Sequence, residues 1–200
     1  MAVGSTFDIY TDRSFWEAAL SGSTIVEDGF DTPIASAQSI TFDSGVVSQG
    51  SAPPPSAAVN AVNLGVYGSN NDPDGSGGFQ STTWIFPDPI FAFGMYFIDS
   101  ASNFGITVSG DFGGTGILSF DTETELGGLG TGFLGIIGAG LFDEIVFTPT
   151  PNAFSQNEGY AIDDLAFASP AEVPVPATIW LSLAGLGMLG AMWRRRSSTG

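Results

Sequence analysis

The chain has 200 residues, 43% of them hydrophobic, with seventeen Phe, no Cys, no His and a formal charge of −17. All 21 acidic residues fall between Asp8 and Glu172, where Arg13 is the only base, so the body repels phosphate backbones and no nucleic acid is expected as a partner. Without Cys there is neither disulfide nor thiolate metal site, and without His the usual general base and the commonest zinc ligand are gone.

The first residues after Met1 show neither a basic n-region nor an apolar h-region. The stretch "DRSFWEAALSG" predicts one short helix. Ser14 and Glu17 have capping-box spacing, Phe15, Ala18 and Ala19 share a face, and Gly22 supplies a stop. From Thr24 the pattern is β. "TIVEDGF", "SITFDSGVVSQ", "VNAVNLGVYG", "STTWIF", "IFAFGMYFID", "FGITVSG", "GILSFDTET", "TGFLGIIG", "DEIVFTP" and "GYAIDDLAFA" are rich in β-branched and aromatic residues, and Gly, Pro, Asn, Asp or Ser separates them. This spacing predicts an all-β, jelly-roll-like antiparallel sandwich. The chain then divides into a short helical lead-in (1–23), a β-sandwich body (24–170) and a tail (171–200). Phe91, Phe93, Met95 and Phe97 fall on one strand face. The uncharged, Gly-rich run from Leu126 to Phe142 has acidic flanks and reads as a loop and a buried strand.

In the tail, Ala177 to Trp193 is uncharged and mostly apolar, and Arg194, Arg195 and Arg196 follow directly. At about 1.5 Å per residue a helix here spans roughly 25 Å, the short end for a bilayer core of about 30 Å. Its apolar residues surround the helix rather than forming a stripe, which argues for a single transmembrane helix over a core helix. The Arg triplet then marks the cytoplasmic end, and the acidic body lies outside.

The order Pro-x-Pro, short apolar helix, Arg cluster resembles the PEP-CTERM sorting signal of Gram-negative bacteria. Its motif is Val173-Pro174-Val175-Pro176-Ala177, with Val175 where the name-giving Glu stands. "YTDRSFWEAALSG", "WIFPDPIFAFGMYF", "GFLGIIGAGLFDEIVFTPT" and "GYAIDDLAFA" also look like phrases of PEP-CTERM ectodomains. The resemblance implies export and recognition by an exosortase, a membrane protease/transpeptidase. It implies a precursor tethered to the inner membrane, a mature form at the cell surface or in the extracellular matrix, and association with exopolysaccharide. Such proteins begin with a secretory signal, so one is expected upstream of Met1.

Two groups of side chains are candidate calcium ligands. Asn70, Asp72 and Asp74 alternate before Gly75, as oxygen ligands do around a tight turn, although the Glu of an EF-hand is missing at Ser81 and the same residues are ordinary turn formers. "VEDGFD" and "AIDDLAF" resemble the paired acidic turn and late strand of calcium-carrying jelly-roll carbohydrate-binding modules, which implies a set of Glu27, Asp28, Asp163 and Asp164. Strict strand alternation sends Asp163 and Asp164 to opposite faces, so one of them is expected near the core. Trp16, Trp84, Tyr67 and Tyr96 are either core or a sugar-stacking face. The expected function is a non-enzymatic exported surface protein. A carbohydrate-binding module is the first alternative and a carboxylate-dependent secreted hydrolase the second.

Overall fold

The computed structural model describes residues 7–51, 59–70, 81–99, 106–113, 117–127, 130–149 and 159–170. They form β1 (Phe7–Tyr10), α1 (Arg13–Ala19), β2 (Thr24–Asp28), β3 (Ile34–Ala37), β4 (Ser39–Thr41), β5 (Val47–Gly50), β6 (Val59–Asn63), β7 (Val66–Asn70), β8 (Thr82–Asp99), β9 (Ile106–Gly110), β10 (Leu118–Asp121), α2 (Thr122–Glu125), β11 (Gly132–Pro149) and β12 (Gly159–Ser169). The chain divides into two compact units, Met1–Pro170 and Ala171–Gly200. The second unit lies outside the described residues, and with it the expected span Ala177–Trp193. Among the described residues no helix is long and apolar enough to cross a membrane.

The architecture is all-β and antiparallel, as expected. The strands form one hydrogen-bonded network in the order β10-β9-β11-β8-β12-β7-β6-β3, with β1 on β11, β2 on β12, and β4 joined through β5 to β8. Two pairs of expected strands are each one long strand: "STTWIF" and "IFAFGMYFID" merge into β8, and "TGFLGIIG" and "DEIVFTP" merge into β11. Pro87 and Pro89 do not break β8 because they fall between its two paired stretches. Thr82–Ile85 pairs with β5, and Ala92–Asp99 pairs with β12. Proline lacks the N–H that a ladder needs, and an unpaired stretch asks for none. Opposite it, β11 shifts register between Ile137 and Phe142 and again between Phe142 and Glu144. Such bulges bend a strand and explain the imperfect alternation of Phe142, Ile145 and Phe147.

The larger core gathers Trp84, Phe93, Met95, Phe97, Phe147, Tyr160 and Leu165 among others. It holds a buried polar network. The Tyr67 hydroxyl donates to Asn60 at 2.9 Å and lies 2.8 Å from Ser48 Oγ, while Trp84 Nε1 donates to the Tyr160 hydroxyl at 2.9 Å. Burial pushes the Tyr67 hydroxyl up to about 12 and Tyr160 well above its ordinary value. Both phenols therefore stay neutral, and their hydrogen bonds tie β5, β6, β7, β8 and β12 together.

A second cluster lies on the opposite face, where α1 sets Trp16 and Leu20 against Ala92, Phe133, Ala166 and Ala168. The buried side of α1 is thus Trp16 and Leu20, whereas Phe15 is 69% exposed. The cap is Asp12 rather than Ser14, since Asp12 Oδ1 accepts from the Ser14 N–H at 2.8 Å and from the Phe15 N–H at 3.4 Å. The sheet leaves room for the indole at two glycines. A Cβ on Gly135 would stand 2.6 Å from Trp16 Cδ1, and one on Gly94 would stand 2.6 Å from the Phe133 ring. A buried Trp covers roughly 200 Å², on the order of 5 kcal/mol at about 25 cal/mol per Å² before entropy is charged. Trp16 Nε1 also donates to the Ile136 carbonyl at 3.2 Å.

Candidate functional site

A cluster of ion pairs joining α1, β2 and β12 surrounds Arg13. This residue opens α1, and its Nε donates to Glu17 Oε1 one turn later at 2.7 Å. Its Nη2 donates to Glu27 Oε1 on β2, and its Nη1 to Asp164 Oδ2 on β12 at 3.4 Å. The Glu17 hydrogen bond above all, with the Glu27 and Asp164 charges, raises the guanidinium further above its ordinary value, while partial burial opposes the shift. Asp164 moves the other way from a simple ion pair. Burial and the neighbouring Asp163, Glu27 and Asp31 raise its carboxyl more than Arg13 lowers it. The site is an acidic cluster under-neutralised by one cation.

The backbone explains why both acids of "IDD" avoid the core. Asp164 has φ +54° and is the extra residue in a register shift between Asp163 and Leu165. Asp tolerates this left-handed conformation better than most residues. The bulge lets Ile162 and Leu165 both be fully buried, leaves Asp163 half-buried, and leaves Asp164 exposed. The expectation that one of the two aspartates lies near the core fails for this reason.

Of the four residues expected to form a calcium set, Glu27 and Asp164 share Arg13, and Asp163 adjoins Asp164. Asp28 points the other way. Its Oδ1 accepts from the Phe30 N–H at 3.1 Å and its Oδ2 from the Ser44 N–H at 3.0 Å. These bonds hold Phe30, buried at φ +53°, in place after β2. Among the described residues no group of three or more acidic side chains converges in a way that could hold a metal ion. Of the weaker set, Asn70 ends β7, and Asp72 and Asp74 lie outside the described residues. Trp16, Trp84 and Tyr67 are fully buried, which leaves Tyr96, 47% exposed, as the one solvent-facing member of the proposed aromatic set.

Sequence reasoning singled out Arg13 as the sole base of the body and gave it no role. Its spacing to Glu17 and the excess of acid around it were the available signals. Asp12 was missed as a cap because Ser14 has the more familiar pattern, yet Ser14 Oγ itself donates to Asp12 at 2.6 Å. That bond, followed by the Phe15 and Ser14 N–H groups, lowers the Asp12 carboxyl.

The sorting residues Val173 to Ala177 and the triplet Arg194 to Arg196 lie outside the described residues, so their identification rests on sequence comparison. The family profile described as the PEP-CTERM protein-sorting motif matches residues 172–196. The chain carries a PEP-CTERM sorting motif. The PEP-CTERM match includes Pro174, Pro176, the apolar run and the Arg triplet, and it stands with Val175 at the Glu position. A PEP-CTERM signal directs an exported protein to an exosortase at the membrane. No curated protein and no solved structure matches the chain significantly.

Proposed function

We propose that this protein is a non-enzymatic surface protein whose antiparallel β body is carried out of the cell and held there through its PEP-CTERM tail. The Ala177–Trp193 helix spans the inner membrane in the precursor, Arg194 to Arg196 stay in the cytoplasm, and the acidic body works outside, in contact with exopolysaccharide of the matrix. The observation that carries this reading is the sorting motif over residues 172–196. Charge asymmetry supports the orientation, since all 21 acids lie on one side of the apolar run and three of the four basic residues on the other. The non-enzymatic reading draws support from how the carboxylates are used: Glu17, Glu27 and Asp164 are paired with Arg13, and Asp28 with backbone N–H groups.

Replacing Leu183 and Leu186 with Arg tests the anchor. Each central charge costs about 2.5–3.5 kcal/mol on insertion scales. The doubly substituted protein, expressed from the full gene in a strain lacking exosortase, leaves the membrane fraction. A variant that still sediments with membranes after a high-salt wash contradicts the span.

A further inference from the structure

The outer face of the sheet is only partly covered by α1. Beyond Gly94, the next residue of β8 on that face is Tyr96, 47% exposed, with Phe133 of β11 and Asp163 of β12 directly beside it in register. The face continues through Ala161, Gly68 and Ala61, which lie opposite one another across β12, β7 and β6, and reaches exposed Asn63 two residues further along β6. A Cβ added to Gly68 would meet no atom within 4 Å. The solvent face of an antiparallel sheet is ordinarily polar. Here small residues share the face with half-buried Val66, which pairs with Asn63, and with Ile98, 43% exposed, and the face carries one aromatic ring, one carboxylate and one amide.

We propose that this face binds a neutral polysaccharide, laid across β8, β12, β7 and β6. A pyranose ring has an apolar C–H face and a rim of hydroxyls. The C–H face stacks on the Tyr96 ring, and the hydroxyls donate to the Asp163 carboxylate and exchange hydrogen bonds with the Asn63 amide. The small residues at 61, 68 and 161 let the chain lie close to the backbone. With strands about 4.8 Å apart, the floor from β8 to β6 is about 14 Å wide, room for a short run of sugar rings. Charge selects the occupant. Glu27, Asp163 and Asp164 border the floor against Arg13 alone, so glycans bearing uronate or phosphate are repelled. A second copy docked about a two-fold axis would set the same carboxylates against their equivalents. The inference names the partner class and the docking face within the matrix reading above, and takes only its biological setting from it.

Calorimetric titration of the full chain in detergent, with cellohexaose, laminarihexaose and mannohexaose as probes and hexagalacturonate as the anionic control, tests the face. At least one neutral hexaose binds and hexagalacturonate does not. Tyr96→Ala weakens binding at least tenfold, Tyr96→Phe retains it, and Gly68→Val blocks it by filling the floor without removing a contact. The proposal is overturned if no neutral hexaose binds, if Tyr96→Ala or Gly68→Val binds as tightly as the parent, or if hexagalacturonate binds best. Sedimentation of a dimer that Tyr96→Ala dissolves would overturn it too, by making the face a self-interface. Export and anchoring are read by fractionation, so a failure of glycan binding is distinguishable from a failure of sorting.

Discussion

Asp164 occupies a bulge, adopts a left-handed backbone and shares Arg13 with Glu27, and these three facts set its effect on stability. Its carboxyl, half exposed, is raised first by partial desolvation beside the sheet and then by Asp163, with Arg13 offsetting only part. A group whose folded value lies above its unfolded value contributes stability that is fully present below the ordinary aspartate range and is lost as pH rises through the raised value. At neutral pH the charge at 164 is therefore a net cost. Asn accepts φ +54° as Asp does, so Asp164→Asn removes the charge and keeps the turn. The variant is expected to be more stable than the parent at pH 7, by no more than about 0.5 kcal/mol for so exposed a group, with the difference vanishing near pH 3. Urea denaturation at the two pH values measures this, and a variant less stable than the parent at pH 7 would mean that the Arg13 pairing outweighs the repulsion.

At the scale of elements, the docking of α1 accounts for residues that looked unrelated in sequence. Trp16 of the opening helix, "AFG" of β8 and "FLGI" of β11 meet in one packing unit, with Gly94 and Gly135 leaving space for the indole and the Phe133 ring. Gly135→Ala places a Cβ 2.6 Å from Trp16 and 2.7 Å from Phe133, so the helix must shift. Overpacking of this kind costs about 1–3 kcal/mol, and red-shifted Trp16 emission should accompany the loss. Gly68→Ala, with no atom within 4 Å of the new Cβ, is the neutral control. Equal stability of the two variants would rule out the tight dock.

Legibility followed the same physics. The expected strands were readable wherever alternation was clean, as in Phe93, Met95 and Phe97, all buried in the larger core. Phe91, expected on the same face, is half-buried and packs against the Trp16 cluster, because the alternation lapses between Ile90 and Phe93. β1, β3 and α2 were missed: "FDIY" was absorbed into the helical lead-in, "IASA" has too little apolar alternation to mark a short strand, and the "TET" that closes "GILSFDTET" lies in a helical turn. "SITFDSGVVSQ" and "VNAVNLGVYG" are each two strands joined by a turn. Pro87 and Pro89 read as a break because sequence does not show where a ladder lapses. The bulge at Asp164 was invisible for a related reason, since period-two reasoning cannot see an inserted residue. For the candidate site, sequence brought Glu27 and Asp164 to one place and overlooked the cation between them.

The molecule as a whole is an acidic β body followed by a short apolar segment and an Arg triplet, and the order of those parts makes the sorting signal. The PEP-CTERM match with Val175 in place of Glu makes recognition by exosortase the step most exposed to test. Intact-mass measurement of the protein recovered from outside the cell, in strains with and without a cognate exosortase, reads that step directly. With the enzyme, the external form is predicted to lack Trp193 and Arg194 to Arg196, and without it the full-length chain stays with the inner membrane. An external form that retains the Arg triplet in both strains would contradict the account.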